Sequence, residues 1–203
     1  MPVETKQRRT QAERSAKTQR IILDAALSVF ADVGLANAST QQILERGKVS
    51  RGAMLHHYPS KALLIEAAFK LLLEEEVKLL VVFSATLKEQ GRGIASLARY
   101  IWDRYKGRVF LVSVDYLCSA RVDAKTRSSV AETSQKFNDA LDLVWDGELE
   151  ELGLPTHDRR AIMNEGMCLI RGMAFQRLWR DDDAYFDEML ENWIDRIKTL
   201  NKR

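Results

Sequence analysis

Few side chains in this sequence could do covalent or acid–base chemistry. Its only histidines are His56, His57 and His157, and its only cysteines are Cys118 and Cys168. The His56-His57 pair invites a metal reading. Neighbouring residues on a helix, however, point about 100° apart and cannot chelate one ion well, so no metal is expected. Both cysteines sit in apolar segments without metal-type spacing and read as buried thiols of a reducing compartment, with a redox sensor as the alternative. There is no phosphate loop, nucleophile elbow or Glu-x-x-His pair, which argues against an enzyme and against a cofactor. The groups that do gather are hydrogen-bonding and cationic: Ser39, Thr40, Gln41, Lys48, Ser50, Arg51, His56, His57 and Lys61. Among them, the fork of Arg51 matches the O6 and N7 edge of guanine. These groups offer hydrogen bonds and positive charge, not covalent chemistry.

Short helices must position these groups. Ile22, Ala25, Ala26, Val29, Phe30 and Val33 recur at the spacing of one helical face, and Gly34 ends that run. Ser39 with Gln42 three residues on fits a capping box and predicts a helix of about seven residues ending at Gly47. Val49 is an apolar plug and Ser50 a second N-cap. The helix from Arg51 must stop at Tyr58, because Pro59 disfavours helical geometry in the residue before it. Ser60 can then cap a fourth helix bearing Leu63, Leu64, Ala67, Ala68 and Leu71. Two short helices joined by a glycine-containing turn form a helix-turn-helix, although spacing alone also fits a plain helical hairpin.

Charge favours the first reading. The chain has 203 residues and a formal charge of +2, which suggests little appetite for polyanions. Residues 1–61, however, hold ten Lys and Arg against five Asp and Glu, or +5, leaving −3 on residues 62–203. The basic end coincides with the two short helices, where a phosphate backbone would be attracted without regard to sequence.

Residues 15–70 resemble the N-terminal domain of the TetR family of transcriptional repressors. The pattern is Phe30-Ala31-Asp32-Val33-Gly34, Ser39-Thr40-Gln41-Gln42-Ile43, Val49-Ser50-Arg51-Gly52, then His57-Tyr58-Pro59-Ser60-Lys61 and Leu63. The resemblance implies that Ser39 or Thr40 and Lys61 grip phosphates. It puts Arg51, Gly52, Ala53, Leu55 and His56 on a recognition helix in the major groove, and has His57 support that helix. Gln41, Lys48 and Ser50 would share the same DNA-binding surface. This chain departs from the family pattern at three places: Gly47-Lys48 replaces Ala-Gly at the turn, Leu55 a common tyrosine, and Leu44 a small alanine.

The remainder reads as a helical receptor. Between Pro59 and Pro155 there is no proline, which favours long helices. Val109 to Val114 could be a strand by composition but has no partner strand, so it is read as buried helix. The longest apolar stretch, about Leu79 to Phe83, falls far short of the ~18–20 residues of a membrane span. The N-terminus is polar and basic, unlike a secretory signal, and a cytoplasmic location is expected. The Glu74-Glu75-Glu76 run reads as a solvated helix face and Asp181-Asp182-Asp183 as a helix N-terminus. The large side chains Phe83, Trp102, Tyr105, Phe110, Tyr116, Phe137, Trp145, Met163, Met167 and Phe175 are either ordinary core or a pocket. Arg171 and Asp115 lie in apolar runs and would orient a polar ligand group or pair with each other.

The helix from about Asp158 to Trp179 is apolar nearly all round and must be buried on two sides. Ile162, Gly166, Leu169, Ile170 and Met173, with Trp193 and Ile197 of the last helix, are the candidate dimer interface. Gly166 and Gly172 would permit close helix approach. The fold expected is all-α, about nine helices: a flexible basic arm over 1–15, a helix-turn-helix domain over 16–61 with its motif at 39–58, and a ligand-binding and dimerisation domain over 62–203. The function expected is a homodimeric repressor that a small, largely apolar effector releases from a palindromic operator on double-stranded DNA. An activator or a regulator switched by a protein partner is the alternative, and an all-helical enzyme or structural dimer the remote one.

Overall fold

The three-and-four spacing of apolar side chains becomes nine helices in the computed structural model, which describes residues 10–90, 93–121 and 124–200, with no strand among them. They are α1 (Gln11–Asn37), α2 (Thr40–Gly47), α3 (Arg51–His57), α4 (Lys61–Gln90), α5 (Ile94–Tyr105), α6 (Arg108–Ala120), α7 (Ala124–Glu151), α8 (Thr156–Gln176) and α9 (Asp183–Leu200). Val109 to Val114 lies inside α6, as its lack of a partner strand required. The chain divides into two compact units, Met1–Phe69 and Lys70–Arg203, and the division falls within α4. That places the boundary two helical turns beyond residue 61, where the change of charge had suggested it.

In the smaller unit α1 packs against α2 and α3. Ile22, Ala26, Leu27, Val29 and Phe30 of α1 are buried together with Ile43 of α2 and Met54 of α3. Residues 11–15, expected as part of a flexible arm, are helical. Thr10 and Glu13 form a capping box, the Thr10 N–H donating to Glu13 Oε2 at 2.8 Å, so α1 already begins at Gln11. Residues 1–9 of the arm lie outside the described residues. Gly34 breaks α1 with φ of 77°, a conformation that a side chain would strain, and the Ala38 N–H closes the turn onto its carbonyl.

In the larger unit α5 packs against α6, α7, α8 and α9, and α8 against α7 and α9. Trp102 meets Phe186 at 5.6 Å, and Trp145 stands edge-on to Trp193 at 5.8 Å. All four are at most 2 % exposed. The Asp182 carboxylate accepts the Tyr185 N–H at 3.0 Å, so the acidic run does begin a helix.

Four sequence-based expectations change here. Cys118 and Cys168 are exposed, since each falls on the outward side of its helix. Glu76 is buried while Glu74 is exposed, because two positions along a helix turn a side chain to another face. Helix α8 ends at Gln176 instead of Trp179, and Phe175, expected in the core, is 49 % exposed. Arg171 is exposed and hydrogen-bonds Tyr105, so it does not depend on Asp115 for a partner.

Candidate functional site

The reading surface begins with the turn between α2 and α3. Ser39 caps α2 as its spacing requires: its hydroxyl accepts the Gln42 N–H at 3.2 Å, and its own N–H donates to Gln42 Oε1 at 2.8 Å. Gly47 ends α2 against α1, where an added Cβ would lie 3.3 Å from the Cβ of Ala25. The left-handed residue of the turn is the next one, Lys48, with φ of 51° and its N–H bonded to the carbonyls of Glu45 and Leu44. This accounts for the Gly47-Lys48 departure. The close approach favours the glycine, and a lysine bears the left-handed strain. Lys48→Gly is expected to stabilise the fold by about 0.5–1 kcal/mol by removing the left-handed penalty. The same substitution should lower the salt dependence of DNA binding by about one unit per chain, if Lys48 contacts a phosphate. Denaturant titration and binding isotherms at several salt concentrations check the two halves.

Ser50 then caps α3, its hydroxyl accepting the Ala53 N–H at 3.2 Å. Met54, 3 % exposed, anchors the helix to the core, and the Tyr58 N–H closes it onto the Met54 carbonyl at 2.7 Å. With Met54 inward, Arg51, Gly52, Leu55 and His56 are exposed, and Ala53 and His57 are half-buried. Arg51 makes no ion pair among the described residues. The His56 and His57 rings meet edge-on at 5.1 Å. Burial pushes the Tyr58 phenol up from its ordinary value, which keeps it neutral below α3.

On α2, Thr40 and Gln41 are exposed, and Gln41 Nε2 donates to Glu45 at 2.7 Å. Lys61 is half-buried, its ammonium donating to the Leu35 carbonyl at 2.9 Å, so one of its three N–H groups already ties α4 to the end of α1. Arg46 is a residue the sequence reading left unassigned. It pairs with Asp32 and donates to Ser28 Oγ at 2.7 Å, clamping α2 to α1. Only its partners on a distant helix reveal that role. Leu44 is half-buried, so the larger side chain is accommodated at the edge of the small core.

In the larger unit Tyr105 and Phe137, with Glu76, Leu80, Tyr100, Ile101, Arg104, Val109 and Leu141, border a cavity of about 20 Å³. Phe83 stacks on Tyr100 at 3.9 Å with rings 10° from parallel. Trp102, Phe110, Tyr116, Trp145, Met163 and Met167 are buried. The Arg104 guanidinium donates two hydrogen bonds to the Glu76 carboxylate, the one from Nε at 2.8 Å. That hydrogen bond, above all, holds Arg104 still higher than an ordinary arginine. Burial raises Tyr105 against the lowering effect of Arg171, and burial likewise raises Tyr100. Both phenols are neutral at neutral pH.

The residues expected at a dimer interface are placed differently. Ile162, Gly166, Ile170, Met173, Trp193 and Ile197 are buried within the single chain, and Leu169 is half-buried. Gly166 is packed against Trp193, because a helix in the middle of a bundle covers this face with its own neighbours. One exposed side of α8 runs instead through Ala161, Glu165, Cys168, Gly172 and Phe175, with Leu178 and Trp179 exposed just beyond.

Two short capped helices, the second presenting polar groups outward from a buried methionine, define a helix-turn-helix DNA-binding unit. Residues 22–68 match the family model described as bacterial regulatory proteins, tetR family. The chain is 29 % identical over 188 residues to the HTH-type transcriptional regulator CymR of Pseudomonas putida, covering 93 % of each. It is 44 % identical over 54 residues to the A-factor receptor protein of Streptomyces griseus, covering 27 % of this chain and 20 % of that one. A solved TetR-family regulator from Cytophaga hutchinsonii shares the fold with a TM-score of 0.72 at 18 % identity, covering 91 % of this chain and 94 % of its own. Residues 22–68 thus match the DNA-binding domain of the TetR family, and the chain over nearly its whole length is similar to an HTH-type transcriptional regulator. CymR and the Cytophaga hutchinsonii protein are both transcriptional regulators. No helix among the described residues is long and apolar enough to cross a membrane.

Proposed function

We propose that the protein is a cytoplasmic repressor whose dimer binds a palindromic operator and leaves it when a small, largely apolar molecule enters the larger unit. The observation that carries this reading is the outward face of α3. Arg51, Gly52, Leu55 and His56 are exposed there, while Met54 holds the helix to its core. Arg51 is the base-reading residue, and Thr40, Gln41, Lys48 and Lys61 grip the backbone. A single seven-residue helix touches too few bases for specificity. Two copies related by a twofold axis read two half-sites about 34–36 Å apart.

The exposed stripe of α8 through Ala161, Cys168, Gly172 and Phe175 supports the pairing surface, with α9 beside it. Together with Glu165 these positions recur at alternating four- and three-residue steps along one side of the helix, which suits a helix-to-helix seam. Helix α4 is common to both units, so an effector that favours one of its positions would change operator affinity by its difference in affinity for the two states.

Mobility-shift titration on the DNA flanking its own gene tests the reading. Salt-sensitive, sequence-selective shifts with two half-sites are expected. Binding that is equal on unrelated duplexes would overturn it.

A further inference from the structure

We propose that the cavity beside Glu76 and Arg104 is the effector site and that its ligand is an organic cation, an ammonium, amidinium or guanidinium on an apolar body. The proposal rests on reading the chain as an effector-controlled regulator. At about 20 Å³ the cavity holds roughly one water, so any effector must first displace a side chain. The question is which one can leave.

The two partners of the ion pair are not equally placed. The side chain of Glu76 is 6 % exposed, whereas that of Arg104 is 36 % exposed. Arginine carries its charge on a long stem, and its head group can swing outward and regain its hydration. The buried carboxylate has no such route, and stranding it without a counter-charge is strongly unfavourable. Arg104 is therefore the exchangeable member and Glu76 the fixed pole. What replaces a guanidinium at a fixed buried carboxylate is another cation.

The rest of the lining agrees. Tyr100, Tyr105 and Phe137 supply aromatic groups, which attract cations through their ring faces, and Leu80 and Leu141 supply apolar wall. Tyr100 is braced by its stack on Phe83, and the Tyr105 hydroxyl by Arg171. A carboxylate effector would have to take Arg104 while leaving Glu76 buried and unpaired. In this state Arg104 acts as a tethered occupant, standing where the ligand's charge would go.

Benzamidine, benzamide and benzoate share a shape and differ in charge, and calorimetry on the full-length protein compares them. Benzamidine is expected to bind at least about tenfold more tightly than benzamide, with benzoate weakest. Glu76→Gln, which can still accept hydrogen bonds from Arg104, should weaken benzamidine at least about tenfold. Arg104→Gln removes the tethered competitor while keeping Glu76, and should tighten benzamidine. Benzoate binding as well as benzamidine, no detectable binding of benzamidine, or unchanged affinity in Glu76→Gln would overturn the proposal. If Glu76→Gln fails to fold, Arg104→Gln decides, and unchanged or weaker binding overturns it. The same samples are assayed on operator DNA. Operator binding without preference for the cation sinks this inference alone, whereas loss of selective operator binding by the wild type sinks the regulator reading.

Discussion

Arg51→Ala is expected to abolish most sequence-selective DNA binding while leaving the fold intact. A bidentate arginine–guanine contact discriminates by about 1–3 kcal/mol, and a twofold dimer loses it at both half-sites, for about 2–6 kcal/mol in all. Arg51 is exposed and makes no ion pair among the described residues, so its removal should change stability by less than about 0.5 kcal/mol. The signature is the pattern of the loss. Preference should relax at one base pair in each half-site, and weak binding to unrelated DNA should persist through the remaining phosphate contacts. Fluorescence anisotropy on an operator and its single-pair variants measures this. A uniform weakening on every duplex would instead make Arg51 a backbone contact.

Gly166→Ala is expected to destabilise the larger unit by about 1–2 kcal/mol, the overpacking cost less the gain in helix propensity. A Cβ at this position would lie 2.7 Å from Cζ2 and 2.9 Å from Cη2 of Trp193. That indole cannot retreat easily, since it is 2 % exposed and stands edge-on to the buried Trp145. The same substitution at Gly147, where an added Cβ meets nothing within 4 Å, should stabilise by up to about 1 kcal/mol. Thermal unfolding of the pair should move in opposite directions, by a few degrees each. A stabilised Gly166→Ala would mean that Trp193 of α9 yields to a Cβ on α8.

These two residues differ in how far the sequence could take them. Arg51 was legible because everything that places it is local: Ser50 caps α3, Pro59 limits it, and the capping box of Ser39 and Gln42 starts the helix before it. Such signals act over three or four residues and survive in one dimension. The two glycines of α8 had looked alike, both suited to close approach. Only Gly166 has a helix against it, while Gly172 has open space, because the partner element lies about thirty residues further along the chain. The same limit explains the cysteines, called core by their apolar neighbours yet exposed, and the dimer residues, whose apolar face proved to be this chain's own core.

By itself, then, the sequence determined an all-helical chain, the caps and ends of the reading helices, and a basic head on an acidic body. Periodicity, capping and charge are local or additive properties, and no folding is needed to sum them. Tertiary structure decided the sidedness. It placed Gly47 where a Cβ would crowd Ala25 of α1 and left the left-handed turn position to Lys48. It turned Glu76 out of a solvated run and into a buried pair with Arg104. Whether a helical side chain is core, surface or site depends on what lies opposite it, and that is a property of the packed chain.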